Sequence, residues 1–398
     1  MKILYFLFLF IVTAMATGDE KQLETLFYDG NNKFTARMSN EIAKTNPEKS
    51  FVLSAYSVMT PLAQLALGSQ GDSHDELLEA IGMPTDNATK AAFSLVNSKE
   101  RSPKGATLKM ASKVYVANSY ELNSEFAEDT RKTFGSEIES MNFLDSENAA
   151  NEINTWVEEQ TNNRIKDLVD PSNLNGDTRA LLVNAIYFKG TWKKQFEKML
   201  TLESNFYLNK DVTNKVPMMF IKGDYNYAES HELDSQIVEI PYEGDESSMV
   251  IVLPRNMQRM NDVQKTLEDP NALEKALKNM YMTEVELKMP KFKIETTTDL
   301  KETLIKMNIE KMFKPTTAGL DKFLKGVSDL FISSAKQKAF IEVNEEGAEA
   351  AAANVFELAY TTSVGFVPQV VKFTADHPFF FFIRAGQYTL FNGVYYSS

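Results

Sequence analysis

Apolar residues recur at helical spacing in the first part of the chain. Between positions 23 and 44 they repeat at intervals of four and seven, which places them on one face of a helix: Phe27, Phe34, Met38 and Ile42. A second helix is predicted for Ser54–Leu67. The residues Asp72–Asp75 (DSHD) are typical of a helix cap, so a third helix is predicted for Glu76–Ile81. The amino-terminal half of the chain is therefore mainly helical.

A further amphipathic helix is predicted near the middle of the chain, in the sequence SENAANEINTWVEEQTNNRI, with Ser146 as its cap. Helical spacing places four apolar residues on one face: Ala149, Ile153, Trp156 and Val157. Acidic residues and asparagines occupy the opposite face. This pattern predicts a surface helix that lies on something flat and apolar.

Strand patterns follow this helix. RALLVNAIYFKGTW (Arg179–Trp192) and SSMVIVLP (Ser247–Pro254) contain continuous apolar runs, as strands buried on both faces do. TEVELKMPKFKIE (Thr283–Glu295) alternates apolar and charged residues, which predicts a strand with one solvent-exposed face. FTADHPFFFFIR (Phe373–Arg384) and YTLFNGVYY (Tyr388–Tyr396) are rich in strand-forming aromatic residues. Helices early, strands late and no βαβ rhythm predict an α+β fold with large mixed sheets.

The first residues have the features of a secretory signal peptide. Lys2 precedes an apolar run, Ile3–Val12, and Ala14-Met15-Ala16 supplies small residues before a cleavage site after Ala16. We therefore expect residues 1–16 to be removed and the protein to be secreted; the alternative is an amphipathic amino-terminal helix. The run is short for a membrane span, so no membrane anchor is expected. No linker or repeat divides residues 17–398, which we expect to form a single domain.

Composition narrows the possible functions. The chain has no cysteine, which excludes disulfides, a cysteine nucleophile and thiolate metal sites. Its formal charge of −13 argues against nonspecific nucleic-acid binding. A glycosylation sequon, Asn87-Ala88-Thr89, agrees with secretion.

The sequence contains no recognisable catalytic centre. Its three histidines, His74, His231 and His377, are scattered and stand in no context typical of a Ser-His-Asp triad or a metal site. No phosphate-binding loop or dinucleotide fingerprint occurs. We therefore expect no enzymatic activity, no cofactor and no metal.

The stretch NEEGAEAAAAN (Asn344–Asn354) stands apart because it holds four consecutive alanines between two apolar runs. Read as a strand from Gly347, one face carries small and then large apolar residues, and the other carries Glu349 and Glu357. Alanine is a poor strand former, however, and Gly347 disfavours a helix. The residues alone leave three alternatives: a short helix, a small-residue linker, or a segment that is a loop at one time and a strand at another.

Several blocks resemble the serpins, the serpin-fold protease inhibitors. EVNEEGAEAAAAN is similar to the family's hinge, SFVLSAYSV (Ser50–Val58) to its shutter segment, and NAIYFKGTW, LKMPKFKIE and FTADHPFFFFI to further blocks. The matches extend from about Leu23 to Tyr396, and the chain as a whole most resembles secreted insect haemolymph serpins. The resemblance implies the serpin fold, with eight or nine helices and an exposed reactive loop at about 345–369.

The resemblance also implies a mechanism. In the family, a protease cleaves the loop and is held as an acyl-enzyme while the cut loop inserts as a strand into the central sheet, which distorts the protease. The implied ion pair is Lys291 with Glu345, and the implied shutter is Ser54, Ser57, Asn184 and Gln337. The implied hinge is Glu345, Glu346, Gly347, Ala348, Glu349, Ala350, Ala351, Ala352 and Ala353.

Two positions depart from the family pattern. Gln337 stands where many serpins have a shutter histidine, so a pH response tied to that histidine is not expected here. Asn354 is polar on the face of the loop that would turn inward, and it needs hydrogen-bond partners there.

The family spacing places the scissile bond at Thr361–Thr362, whereas counting back from Pro378 places it nearer Val364. Because the two counts disagree, the candidates extend from Tyr360 to Phe366 and include Ser363. No Lys or Arg occurs between Gly347 and Gln369, so an elastase-like or chymotrypsin-like target is expected and a trypsin-like one is not. The alternatives are inhibition of cysteine proteases and a non-inhibitory serpin that acts as a carrier, storage or binding protein. We expect a monomer.

Overall fold

The computed structural model describes residues 2–99, 103–326, 329–346 and 370–397, with the backbone alone for residues 2–18 and 99. Within these ranges there are nine α-helices. They are α1 (Lys2–Thr45), α2 (Ala55–Gly68), α3 (Gly71–Ala80), α4 (Asp86–Lys99), α5 (Ser124–Phe134), α6 (Ser146–Gln160), α7 (Met260–Thr266), α8 (Pro270–Lys278) and α9 (Leu300–Lys306). The helices predicted in the amino-terminal half and near the middle are thus present.

The same ranges contain fourteen strands. They are β1 (Phe51–Leu53), β2 (Ala106–Ala117), β3 (Glu137–Met141), β4 (Ala180–Gly190), β5 (Leu202–Tyr207), β6 (Thr213–Ser230), β7 (Ser235–Pro241), β8 (Ser247–Pro254), β9 (Tyr281–Pro290), β10 (Phe292–Asp299), β11 (Ser334–Val343), β12 (Val371–Thr374), β13 (Phe379–Ala385) and β14 (Tyr388–Tyr395). The predicted α+β class is confirmed.

The predicted caps of two helices were wrong by a few residues. Helix α3 begins at Gly71, so Asp72–Asp75 lie inside it instead of before it. Gly71 has a φ of +62°, which glycine adopts without strain, and the chain turns into the helix there. At α6 the cap is Asp145, whose side chain accepts a hydrogen bond from the backbone N–H of Asn148 at 3.3 Å. Ser146 is the first residue of that helix.

The strands form two sheets. One has nine strands in the order β1-β14-β13-β8-β7-β6-β9-β12, with β5 paired to β6 outside this path. The other has five strands in the order β10-β11-β4-β2-β3. Parallel pairs (β4 with β11, β2 with β3, β9 with β12) occur among antiparallel ones, so both sheets are mixed.

Two segments that the sequence predicted as single strands are each divided. Thr283–Glu295 becomes β9 in the larger sheet and β10 in the smaller sheet, because the chain crosses between sheets at Lys291. Phe373–Arg384 becomes β12 and β13, separated by a break that contains His377 and Pro378. Each break has a signal in the sequence: the apolar alternation changes phase between Met289 and Phe292, next to Pro290, and Asp376-His377-Pro378 interrupts the second segment. The prediction of single strands did not take these signals into account.

Strand β4 separates two apolar cores. Leu182, Ile186 and Phe188 point into the main core between the sheets, whereas Leu181, Val183 and Tyr187 point to the opposite face. On that opposite face they pack with the buried residues of α6, which are Ala149, Ala150, Ile153 and Val157. Helix α6 therefore lies on the apolar face of the five-stranded sheet, as its pattern predicted.

Candidate functional site

The centre of the five-stranded sheet is a parallel pair of strands. Strands β4 and β11 are in register from Leu181 opposite Ser334 to Phe188 opposite Ile341. The outer neighbours of this pair, β2 and β10, both run antiparallel to it. The pairing of the two strands ends at Ile341 and Phe188. Strand β11 ends at Val343, and the predicted hinge follows directly.

Glu345, the first residue of that hinge, is a buried carboxylate held by a lysine. Its residue exposure is 5%, and its Oε2 lies 2.9 Å from Lys291 Nζ. Burial raises the pKa of this carboxyl, but the hydrogen bonds from Lys291 and from the backbone N–H of Glu345 outweigh it, so the pKa lies below its usual value. Lys291 precedes Phe292, which pairs with Val343 on β11. Both partners thus belong to the β10–β11 side of the sheet.

A second set of contacts holds the hinge from the other side. The segment after β4, Trp192–Lys198, donates three hydrogen bonds to hinge carbonyls. Trp192 N donates to Glu346 O at 3.3 Å, the Trp192 indole Nε1 donates to Asn344 O at 2.8 Å, and Phe196 N donates to Glu345 O at 2.9 Å. Lys198 also forms an ion pair with Glu346.

Trp192 is itself fixed in place. Its ring stacks on that of Tyr242, with centroids 4.5 Å apart and an interplanar angle of 12°. The next residue, Lys193, donates its backbone N–H to Pro241 O at 3.0 Å. The segment that grips the hinge is therefore anchored to the turn between β7 and β8.

The four predicted shutter residues lie together under the β4–β11 pair. Gln337 Nε2 lies 2.8 Å from Ser54 O, 2.8 Å from Asn184 Oδ1 and 3.2 Å from Ser57 Oγ. Gln337 Oε1 accepts from Ser54 N at 3.1 Å, and Ser57 Oγ donates to Asn184 Oδ1 at 2.8 Å. All four residues are 3% exposed or less. The network joins α2, β4 and β11 through buried amides and hydroxyls.

The other predicted site residues are placed as follows. Hinge residues from Gly347 to Ala353, Asn354 and every scissile-bond candidate lie outside the described residues, as does the rest of the loop to position 369. Asn87 is exposed in the first turn of α4, while Thr89 of the sequon is buried and donates its hydroxyl to Thr85 O at 2.8 Å. The side chains of the predicted signal peptide also lie outside what is described.

Two histidines are engaged in local contacts. His74 lies between Asp75 (3.0 Å) and Asp86 (2.7 Å); burial lowers its pKa, but the two carboxylates outweigh burial and raise it. His377 contacts Asp376 Oδ1 at 2.9 Å and Pro254 O at 2.7 Å. In the part of the chain whose side chains are described, no three His, Asp or Glu residues converge on a metal site. No described helix combines the length and apolarity that crossing a bilayer requires.

Comparison with known proteins agrees with this architecture. A family model described as serpin (serine protease inhibitor) matches residues 29–397. Antichymotrypsin-2 of Bombyx mori is 51% identical over 94% of this chain and 99% of its own length. Antitrypsin of the same species is 49% identical over 99% of this chain and 100% of its own length. A crystal structure of Serpin48, a serpin of the insect Tenebrio molitor, has a TM-score of 0.84 at 32% identity and covers 93% of this chain and 98% of that one.

The chain belongs to the serpin family. The resemblance found in the sequence is therefore confirmed, including its proximity to insect serpins.

The sequence did not predict the contacts that Trp192, Phe196 and Lys198 make with the hinge. Trp192 was noted only as part of a family block, and neither Phe196 nor Lys198 stands in any pattern that would mark it. One signal was available. The block that contains Trp192 ends a buried strand, and loops that follow buried strands often hold functional residues.

Proposed function

We propose that this serpin is a secreted suicide inhibitor of serine proteases. Its loop offers a scissile bond, the protease forms an acyl-enzyme there, and the cut loop inserts between β4 and β11. Insertion carries the protease along and distorts its oxyanion hole, so that deacylation stalls. The chain itself supplies the loop that is cleaved and the sheet into which that loop inserts, and it completes no catalytic cycle.

The observation that carries this proposal is the parallel pairing of β4 with β11. The segment that begins at Gly347 follows β11 closely, so a turn there would send it back antiparallel to β11. Because β4 runs parallel to β11, the same segment would be antiparallel to β4 as well. Insertion would therefore replace one parallel contact by two antiparallel ones, which are slightly more stable per residue. The topology therefore supports insertion of the segment between β4 and β11.

The sequence of the segment supports the same proposal. The residues that would turn inward first, Ala348, Ala350 and Ala352, are small and uncharged, so their side chains would obstruct entry between the strands little. Phe356 and Leu358 would then add apolar area to the main core, at about 25 cal/mol per Å² buried. Glu349 and Glu357 would remain on the outer face.

For the target we propose an elastase-like or chymotrypsin-like protease. The segment from Gly347 to Gln369 offers no Lys or Arg to an acidic specificity pocket, whereas Thr361, Val364 or Phe366 suits a small or apolar one. Two relatives of near-equal identity are named for different proteases, one an antichymotrypsin and one an antitrypsin. Overall identity therefore does not fix the target, and the bait residues carry this part of the proposal.

The cellular context belongs to the same proposal. Residues 1–16 direct export and are removed, residues 17–398 form one monomeric domain, and Asn87 carries a glycan. The exposed position of Asn87 leaves room for that glycan. Intact mass measurement of protein secreted from insect cells, before and after glycosidase treatment, tests the cleavage site and the glycan together.

The experiment that tests inhibition mixes the purified protein with chymotrypsin, elastase, trypsin and a papain-like cysteine protease, and separates the products on a denaturing gel. We expect an SDS-resistant band near the summed mass with chymotrypsin or elastase. Mass spectrometry of the released carboxyl-terminal peptide identifies the bond. Cleavage without a stable band would instead support a carrier or binding protein, and a band with the cysteine protease alone would support cross-class inhibition.

A thermal measurement isolates the insertion step. Protein nicked in the loop should unfold at a clearly higher temperature than intact protein, because the inserted strand completes the sheet. Equal unfolding temperatures would contradict insertion even if a protease complex were seen.

A further inference from the structure

The hinge carries two acids in succession, and each has a lysine partner from a different part of the fold. Glu345 pairs with Lys291, and Glu346 pairs with Lys198. The two pairs differ in their position relative to the β4–β11 boundary. Lys291 lies next to β10, on the same side of that boundary as the hinge. Lys198 lies on the segment that continues β4, on the opposite side.

We propose that the ion pair between Lys198 and Glu346 is a latch across the opening of the sheet, which restrains the parting of β4 from β11. The proposal rests on the proposed function, since it concerns the step at which the loop would enter. It assigns to Lys198 a positioning role, in which the residue acts through the hinge.

The geometry of opening gives the reason. Neighbouring strands lie about 4.8 Å apart, so admitting one more strand doubles the separation of β4 and β11 to about 9.6 Å. Contacts within one side of the boundary, such as Lys291 with Glu345, move with that side. Contacts that cross the boundary must stretch by about 5 Å or break. Lys198 with Glu346 is a crossing contact, and so are the hydrogen bonds from Trp192 and Phe196.

The anchoring of the Lys198 segment makes the latch effective. A lysine on a freely moving segment would follow Glu346 as the gap widened. Here the segment is held by the stacking of Trp192 on Tyr242 and by the backbone bond from Lys193 to Pro241. The lysine therefore stays with the β4 side, and opening separates the charges.

The latch is also located where insertion would begin. The two strands are paired only as far as Phe188 and Ile341, and beyond them the hinge and the Trp192–Lys198 segment contact each other across the boundary. Gly347, the first residue of the entering segment, directly follows Glu346. The side chains of Lys198 and Glu346 are 69% and 31% exposed, so water and salt screen the pair and its effect is modest.

The test measures opening without any protease. A synthetic peptide that copies residues 348–359 is incubated with the intact protein, and its uptake into the sheet is followed by native gel shift. We expect Lys198→Ala to accelerate uptake about twofold to fivefold, the range open to an exposed ion pair. Lys198→Arg should restore the wild-type rate, and so should the charge swap Lys198→Glu with Glu346→Lys. In about 1 M salt the variants should converge.

The matched control is Lys293→Ala. Lys293 of β10 is 61% exposed and pairs with Glu342 of β11 at 3.3 Å, but both residues lie on the same side of the opening. This control should leave the uptake rate unchanged. If Lys198→Ala matches Lys293→Ala, or if the charge swap fails to restore the rate, the latch is refuted.

The wild type separates failure of the latch from failure of the proposed function. Wild-type protein that takes up the peptide and forms an SDS-resistant protease complex supports the proposed function, whatever the Lys198 variants do. Wild-type protein that does neither overturns both proposals, because no opening then exists for a latch to restrain.

Discussion

Replacing Gln337 should destabilise the intact protein by more than the loss of a single hydrogen bond would. The side chain is fully buried and joins three parts of the fold through Ser54, Ser57 and Asn184. Methionine has a similar length and volume, so Gln337→Met removes the hydrogen bonds while leaving packing almost unchanged. The effect of this variant therefore reports on the polar network.

The structure allows the magnitude to be worked out. Without Gln337, the backbone N–H of Ser54 loses the amide oxygen to which it donates at 3.1 Å. The Ser57 hydroxyl lies 3.2 Å from Ser54 O and 2.8 Å from Asn184 Oδ1, but its one proton cannot serve both acceptors. The backbone N–H of Ser54 is thus left without a partner, and one of the two acceptors loses a donor. At about 1–3 kcal/mol for the unpaired donor and about 0.5–1.5 kcal/mol for the lost hydrogen bond, the free energy of unfolding should fall by about 1.5–4.5 kcal/mol.

A second substitution at the same position gives a pH signature. In Gln337→Glu a carboxylate would face the acceptors Ser54 O and Asn184 Oδ1, so burial and these oxygens should raise its pKa above the usual value of about 4.3. A carboxyl with a higher pKa in the folded than in the unfolded state costs no stability from its charge at a pH where both states are protonated. Above the unfolded-state pKa it lowers the free energy of unfolding progressively, until the pH exceeds the folded-state pKa. The free energy of unfolding of this variant should therefore fall further below that of wild type as the pH rises from about 4 to about 7.

Urea unfolding followed by the fluorescence of Trp156 and Trp192 measures both variants. The control is Lys336→Met, a change to the same residue type on the preceding position of β11, outside the network. We expect the free energy of unfolding of this control to stay close to that of wild type. A Gln337→Met variant within about 1 kcal/mol of wild type, or a Gln337→Glu variant with no pH dependence, would falsify the idea that this network holds the strands together.

Three further predictions concern the loop and the hinge. Ala350→Arg should turn the inhibitor into a substrate because a charged side chain would block the inward face, whereas Ala351→Arg, on the outward face, should still form an SDS-resistant complex; equal behaviour of the two on the gel would contradict the assigned faces. If Thr361 precedes the scissile bond, Thr361→Arg should form an SDS-resistant covalent complex with trypsin where wild type forms none, and absence of that band would mean that the scissile bond lies elsewhere. Glu345→Gln should be less stable than wild type at neutral pH, and the difference should vanish as the pH falls below 4.5 through the lowered pKa of Glu345, as urea midpoints down to about pH 3 would show; a difference that persists in acid would mean that the ion pair with Lys291 is not its source.

Local patterns predicted those elements whose signals are local. The apolar stripe of α6 specifies its buried face because helical spacing alone decides which side chains share a face. The continuous apolar run of β4 similarly reflects its burial on both sides. Helix starts were less predictable. Asp145 and Ser146 are both good capping residues, and only the backbone conformation decides between them.

Contacts between distant segments left no comparable signal. The division of Thr283–Glu295 between two sheets depends on where β6 and β11 lie, and the segment itself marks it only by Pro290 and by the change of phase of its apolar residues there. The pairing of Lys291 with Glu345 was reachable only through family resemblance. The pairing of Lys198 with Glu346 was not reachable at all, since lysines and glutamates abound on this surface and nothing distinguishes this pair in the sequence.

The contacts across the β4–β11 boundary differ in burial. At the hinge end the Lys198–Glu346 ion pair is partly exposed, whereas the hydrogen bonds from Trp192 and Phe196 involve buried residues. Water can replace the contact of Lys198 with Glu346 at little cost. Further along, the rings of Tyr187 and Phe340 meet at 5.7 Å on the α6 face. Deeper still, Gln337 and Asn184 are fully buried, and separating them leaves polar groups without partners. If the loop inserts as proposed, the ion pair of Lys198 with Glu346 is therefore the crossing contact that costs least to break first, and each residue that inserts would supply backbone hydrogen bonds before the next and costlier contact breaks.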